Sequence, residues 1–81
     1  MSNRVMLNIG FGNSVERDGV SIIVQPNSAP IKRFIKRKVE EGFLVDATMG
    51  KKLRAVIVMD NGFAVLSAIS TTSLLSRIED E

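Results

Sequence analysis

Apolar positions along the 81-residue chain follow two patterns, one typical of β-strands and one typical of helices. Runs that alternate or are rich in β-branched residues predict five strands, over residues 5–9, 20–24, 43–48, 54–59 and 63–69. The segment Asp60-Asn61-Gly62 predicts a hairpin between the last two strands, because Asn-Gly favours a type I′ turn.

The segment between the second and third predicted strands indicates an amphipathic helix. Ser28 is a suitable N-cap, Pro30 fits the first turn, and Gly42 is a suitable C-cap. Apolar side chains recur on one helix face at Ile31, Phe34, Ile35 and Val39. A second, short helix is predicted over residues 71–78. The sequence therefore predicts an α+β fold with a small antiparallel sheet of about five strands, one amphipathic helix and a short C-terminal helix.

The length of the chain predicts a single domain that spans residues 1–81. This size is close to the lower limit at which a chain can build its own core. No repeat, linker or low-complexity tract divides it.

The last two predicted strands are apolar on both faces, over residues 55–59 and 63–66. A half-exposed strand would alternate apolar with polar residues, so both faces of this hairpin need cover. The amphipathic helix can cover one face. A partner subunit can bury the rest of the other, or loops and the terminal helix can do so, and the sequence leaves both alternatives open.

The net charge of +2 hides an asymmetry along the chain. Residues 32–54 carry eight basic and three acidic side chains, a net charge of +5, whereas the rest of the chain carries −3. A solvated basic face is one interpretation. The other is an anion-binding surface, for which nucleic acid is the expected partner.

The predicted amphipathic helix carries its charges against its own dipole, with Lys32 and Arg33 near the start and Glu40 and Glu41 at the end. Backbone N–H groups and these two cations at a helix start would suit a phosphate. A second basic cluster surrounds a predicted turn, at Lys51, Lys52 and Arg54.

The chain contains no cysteine and no histidine. It therefore lacks the usual zinc ligands and the commonest general base. Gly10-Phe11-Gly12 lacks the third glycine of a dinucleotide fingerprint and is better explained as a turn. We expect no enzymatic activity, no cofactor or metal, and no small-molecule substrate. No signal peptide or spanning apolar run is present, so we expect a cytoplasmic protein.

The aromatic residues favour double-stranded over single-stranded nucleic acid. Proteins that bind single strands usually stack bases on aromatic rings. This chain has no Trp and no Tyr, and its four Phe residues mostly fall at predicted core positions.

Several motifs together resemble the RemA-like regulatory proteins of bacteria, over about residues 5–70. The motifs are Asn8-Ile9-Gly10-Phe11-Gly12-Asn13, Ser28-Ala29-Pro30-Ile31-Lys32-Arg33, Asp46-Ala47-Thr48 with Gly50, Arg54-Ala55-Val56, and Leu66-Ser67-Ala68. The resemblance implies a LytTR-like fold, a ring-shaped homo-oligomer, and a DNA-binding activator of extracellular-matrix and biofilm genes.

The resemblance also implies which residues contact DNA. The family's Ala-Pro-Ile-Lys-Arg motif places Lys32 and Arg33 at the site, and its basic turn places Lys51, Lys52 and Arg54 there. The family usually has Arg-Arg at Lys51-Lys52 and tyrosine at Met49. A functional arginine of the family aligns with Gly19, and the nearby Arg17 is the candidate to replace it.

Two other functions remain open at this point. The chain would be an oligomeric adaptor if its basic surface bound an acidic protein instead of nucleic acid. The third hypothesis is attachment to a membrane surface through the basic helix. We expect no membrane binding, because the predicted sheet needs the helix's single apolar stripe.

Overall fold

The computed structural model describes residues 5–79, which form two sheets and two α-helices. The six strands are β1 (Met6–Gly10), β2 (Asn13–Glu16), β3 (Val20–Val24), β4 (Leu44–Asp46), β5 (Ala55–Met59) and β6 (Ala64–Ser67). The helices are α1 (Ala29–Glu41) and α2 (Thr71–Glu79), and a short 3-10 helix, Arg17–Gly19, joins β2 to β3. The α+β class is therefore confirmed. Residues 1–4 and 80–81 of the predicted domain lie outside the described residues.

The prediction of one antiparallel sheet with about five strands is wrong in its details. Strands β1 and β2 form a separate antiparallel ribbon, and the other four strands form a sheet in the order β3-β5-β6-β4. Strand β4 pairs with β6 in parallel, whereas the other two pairs in this sheet are antiparallel. The parallel pair arises because α1 returns the chain across the sheet, so that β4 runs in the same direction as β3.

Helix α1 begins and ends where its capping residues predict. The Ser28 hydroxyl accepts a hydrogen bond from the Ile31 amide at 3.3 Å. At the other end Gly42 has a φ of 79°, and the Phe43 amide donates to the carbonyl of Lys38 at 2.9 Å, as in a Schellman motif. The predicted apolar face is wrong at its last member, because Val39 is 57% exposed.

The hairpin between β5 and β6 is confirmed, but its turn is not of type I′. Gly62 has a φ of 93°, whereas Asn61 is not among the described residues with positive φ. The Gly62 amide donates to Met59 at 3.0 Å and the Met59 amide donates to Phe63 at 2.8 Å. This pattern is typical of a three-residue loop with glycine in the left-handed position.

Both faces of β5 and β6 are covered within the single chain. Helix α1 packs through Ile31, Phe34 and Ile35 on the face that contains Val56. Strands β1 and β2 and helix α2 cover the face that contains Ile57, and Leu74 of α2 is fully buried there. The strand pattern that suggested a partner subunit is therefore explained by the chain's own elements, including a ribbon that the sequence pattern did not reveal.

Candidate nucleic-acid interface

Three strands of the four-stranded sheet finish at the same end of the sheet, and three of the six predicted DNA-contacting residues lie in the segments there. Two more, Lys32 and Arg33, lie close by in the first turns of α1. Strands β3, β4 and β6 run in one direction, and β5 begins beside the last residues of the other three. The segments 25–28, 47–54 and 68–70 therefore meet at one end of the sheet. We call it the basic end, defined by Lys32, Arg33, Lys51, Lys52 and Arg54.

The turn that precedes Lys51 and Lys52 has a fixed backbone. Met49 and Gly50 both have positive φ, of 54° and 77°, and the Lys51 amide donates to the carbonyl of Thr48 at 3.0 Å. These features define a type I′ turn. The turn brings the chain back from β4 towards β5 and places the two exposed lysines directly after it.

Asp46 holds the start of this turn. Its carboxylate accepts hydrogen bonds from the Thr48 hydroxyl at 2.7 Å and from the Thr48 amide at 2.9 Å. These two bonds stabilise the ionised carboxylate and lower the pKa of Asp46 below its ordinary value of 3.8. Asp46 is thus a turn residue, which accounts for a carboxylate next to a basic cluster.

Lys52 and Arg54 line a shallow cleft of about 210 Å³. The Arg54 amide donates to the Ser67 carbonyl at 2.9 Å, which fixes the backbone where β5 begins. The other walls come from the turn before α1 and from the start of α2, at Gln25, Asn27, Ser70, Thr71 and Thr72. Sequence reasoning missed these polar residues. The only signal was their position in the turn before α1 and at the predicted start of the terminal helix.

Lys32 and Arg33 lie on the first turns of α1 and are both exposed. The helix has no acidic residue in its first turn, as predicted. Because the cleft-lining Asn27 directly precedes the N-cap Ser28, the start of α1 adjoins the cleft. None of the five cations of the basic end forms a salt bridge with another described residue, so their charges are available to a ligand.

Arg17 lies at the opposite end of the sheet from the basic end. Its neighbour Gly19 accepts a hydrogen bond from the Asp60 amide at 2.8 Å, where β5 finishes. At roughly 3.4 Å per residue, this end is about 20 Å from Arg54. The Arg17 guanidinium is 3.6 Å from the Asp18 carboxylate, and its side chain is half-buried. Within the single chain, the structure therefore does not bring Arg17 together with the other predicted site residues.

Two of the four Phe residues lie outside the core, contrary to the general expectation. Phe11 is 53% exposed and Phe43 is 42% exposed. The Phe43 ring stacks on Phe63, with centroids 5.0 Å apart. The preference for double-stranded partners therefore rests on the absence of Trp and Tyr, and it calls for a direct comparison of duplex and single strand.

No α-helix within residues 5–79 is long and apolar enough to cross a bilayer. Helix α1 uses its apolar stripe to cover the sheet, as described above.

Comparison with known proteins gives a consistent result over almost the whole chain. Residues 6–78 match the RemA-like family, described as extracellular matrix regulatory protein A-like. Relatives from Dictyoglomus turgidum and from Crocosphaera subtropica, each named "Putative regulatory protein", are 47% and 49% identical. The first alignment covers 91% of this chain and 87% of the relative, and the second covers 95% and 86%. A relative of the same name from Synechococcus is 51% identical over 89% of this chain and 81% of its own length.

Proposed function

The chain belongs to the RemA-like family of regulatory proteins, and on that premise we propose that it is an oligomeric transcriptional regulator that binds duplex DNA. The basic end would contact the phosphate backbone, and the regulated genes would be those of the extracellular matrix, as the family's description suggests. Such a protein would work in the cytoplasm, where the DNA is.

The main support for DNA binding is the convergence, at one end of the sheet, of cations that form no salt bridge within residues 5–79. Lys52 and Arg54 line one cleft, Lys51 is adjacent, and the start of α1 with Lys32 and Arg33 adjoins it. The order of the strands brings these cations together from two separate segments. Phosphate contacts of this kind position a protein on DNA without specifying its sequence.

Support for an oligomer comes from the edges of the four-stranded sheet. Strand β3 is one edge and exposes Ile22 at 51%, and β4 is the other edge and exposes Val45 at 46%. The two edges differ, so association between them would be head-to-tail. Head-to-tail contacts close into a ring when the rotation per subunit permits it. A ring would repeat the basic end many times and raise the affinity through multivalency.

The experiment that tests DNA binding is a fluorescence-anisotropy titration of a labelled duplex over a series of salt concentrations. For the wild type, the logarithm of the affinity should fall steeply with the logarithm of the salt concentration. The double variant Lys51→Ala/Lys52→Ala should reduce this slope by about 0.9 for each phosphate that the protein no longer neutralises. A single strand of the same sequence should bind less tightly than the duplex.

The matched control is Lys36→Ala/Arg37→Ala, which removes two exposed charges from the middle of α1 and leaves the basic end intact. Its salt slope should stay close to that of the wild type. Equal losses of affinity in the two double variants would mean that only net charge matters. If no duplex binds even in dilute buffer, the proposed function is wrong.

A further inference from the structure

Two exposed amide side chains at the basic end, Gln25 and Asn27, do not stabilise the fold through hydrogen bonds within the described residues. Gln25 and Asn27 form no side-chain hydrogen bond there. In contrast, the side-chain oxygen of Asn8 accepts a bond from the Gly10 amide at 2.8 Å, and that of Asn61 accepts one from the Phe63 amide at 3.1 Å. Those two amides hold turns, whereas Gln25 and Asn27 leave both their donors and their acceptors unused.

The backbone of the turn that carries these amides is fixed by its neighbours on both sides. Pro26, between them, is buried, whereas Gln25 and Asn27 are exposed. Val24 on one side pairs with Val56 in the sheet, and Ser28 on the other side caps α1. The backbone that carries both amides is therefore fixed on one side by the sheet and on the other by the helix cap. A backbone fixed in this way lowers the conformational entropy lost on binding.

Both amides line the same cleft as Lys52 and Arg54. Amide and cationic side chains make different contacts with DNA. Lysine and arginine are the main phosphate contacts, whereas Asn and Gln can also form bidentate hydrogen bonds with adenine, in which the amide group donates to N7 and accepts from the N6 amino group. The cleft therefore combines groups that hold the backbone with groups that recognise a base.

We infer that Gln25 and Asn27 read adenine in the major groove while Lys52 and Arg54 hold the flanking phosphates. This inference rests on the proposed DNA-binding function and assigns it a base preference. The major groove is the expected location because the turn leads directly into α1, and a groove about 12 Å wide admits a helix whereas the minor groove, about 6 Å wide, does not.

The test uses duplexes in which 7-deazaadenine replaces adenine. This base keeps its Watson–Crick pairing but lacks the N7 acceptor. The wild-type protein should bind the substituted duplex about fivefold to a hundredfold more weakly than the adenine duplex, at equal length and salt. The variant Gln25→Ala/Asn27→Ala should bind both duplexes equally. Asn61→Ala, which removes an exposed amide at the far end of the sheet, should discriminate as the wild type does.

Each outcome decides a separate claim. If the wild type binds duplex DNA but does not distinguish the two bases, the reading of adenine is wrong and the proposed function stands. If it binds no duplex at all, the proposed function fails first. A loss of affinity only with 3-deazaadenine would place the turn in the minor groove and overturn the inference. The inference is also wrong if Gln25→Ala/Asn27→Ala, with unchanged thermal unfolding, loses affinity for both duplexes by the same factor relative to the wild type. The variant would then still prefer the adenine duplex.

Discussion

The carboxylate of Asp46 accepts two hydrogen bonds from a single residue, Thr48, through its amide at 2.9 Å and its hydroxyl at 2.7 Å. Thr48 in turn accepts the bond that closes the type I′ turn, from the Lys51 amide. A side chain at the end of β4 thus determines the path of the backbone up to the first lysine of the basic end.

Asp46→Ala should destabilise the protein by about 1 kcal/mol at neutral pH, because the bonds it removes are to an exposed carboxylate. The pKa of Asp46 is lower in the folded protein than its ordinary value of 3.8. Its contribution to stability is therefore complete above 3.8 and is lost as the pH falls through the folded pKa. Urea unfolding at neutral and acid pH measures this. The variant and the wild type should differ at neutral pH and converge in acid, and Glu40→Ala is the control with an exposed carboxylate.

Met49→Asn should stabilise the protein by about 0.5 to 1 kcal/mol. Met49 has a φ of 54°, a conformation that is costly for most residues and that Asn tolerates. Its side chain is 67% exposed, so little packing is removed. Thermal unfolding tests this, with Met6→Asn as the control for an exposed methionine in a strand. A lower melting temperature for Met49→Asn would contradict the strain argument.

Lys38→Met should destabilise the protein by about 1 to 2 kcal/mol and leave the salt dependence of DNA binding unchanged. The Lys38 ammonium donates to the Gly62 carbonyl at 2.7 Å and lies 3.5 Å from the Glu41 carboxylate. It also lies 5.5 Å from the centre of the Phe34 ring. Lys38 therefore ties the end of α1 to the β5–β6 turn. A shallower salt slope in this variant would show that Lys38 contacts DNA instead.

Arg17→Ala should weaken DNA binding only in the assembled protein. Arg17 and Arg54 lie at opposite ends of the sheet, so one subunit would not place both on the same stretch of backbone. The salt slope should be measured for Arg17→Ala alone and in the background of Val45→Lys, which adds a charge to the exposed edge strand. We expect Val45→Lys to give monomers by light scattering, and Arg17→Ala to change the slope only where the edge is intact. An effect of equal size in the monomer would contradict this.

Local signals predicted the elements whose structure is set locally. Ser28, Pro30 and Gly42 predicted the ends of α1 to within one residue. Each of them affects only the helix turn in which it lies, so its effect does not depend on tertiary contacts. Strand β2 was missed because its sequence, Asn-Ser-Val-Glu, is polar, and its strand conformation depends on pairing with β1. The turn at Met49-Gly50 was predicted, but its type I′ conformation was not, because methionine ordinarily avoids a positive φ.

The candidate site was predicted in part. The clustering of cations along the chain indicated the right segments, but the sequence did not show that Lys52 and Arg54 share a cleft with Gln25 and Asn27. That relationship depends on the order of the strands, and in particular on the antiparallel pairing of β3 with β5, which places Val24 opposite Val56. The same order separates Arg17 from the other predicted site residues, which proximity along the chain could not reveal.

Both faces of strand β5 are buried within one chain, at Ala55, Val56 and Ile57. This burial bears on how the activity of the protein would be regulated. Because elements of the same chain cover both faces of this hairpin, we expect each copy to fold without a partner, independently of concentration. Dilution would take the proposed assembly apart into intact subunits, each with only weak affinity for DNA. In the proposed function, the amount of protein in the cell would then determine how much of the DNA it occupies.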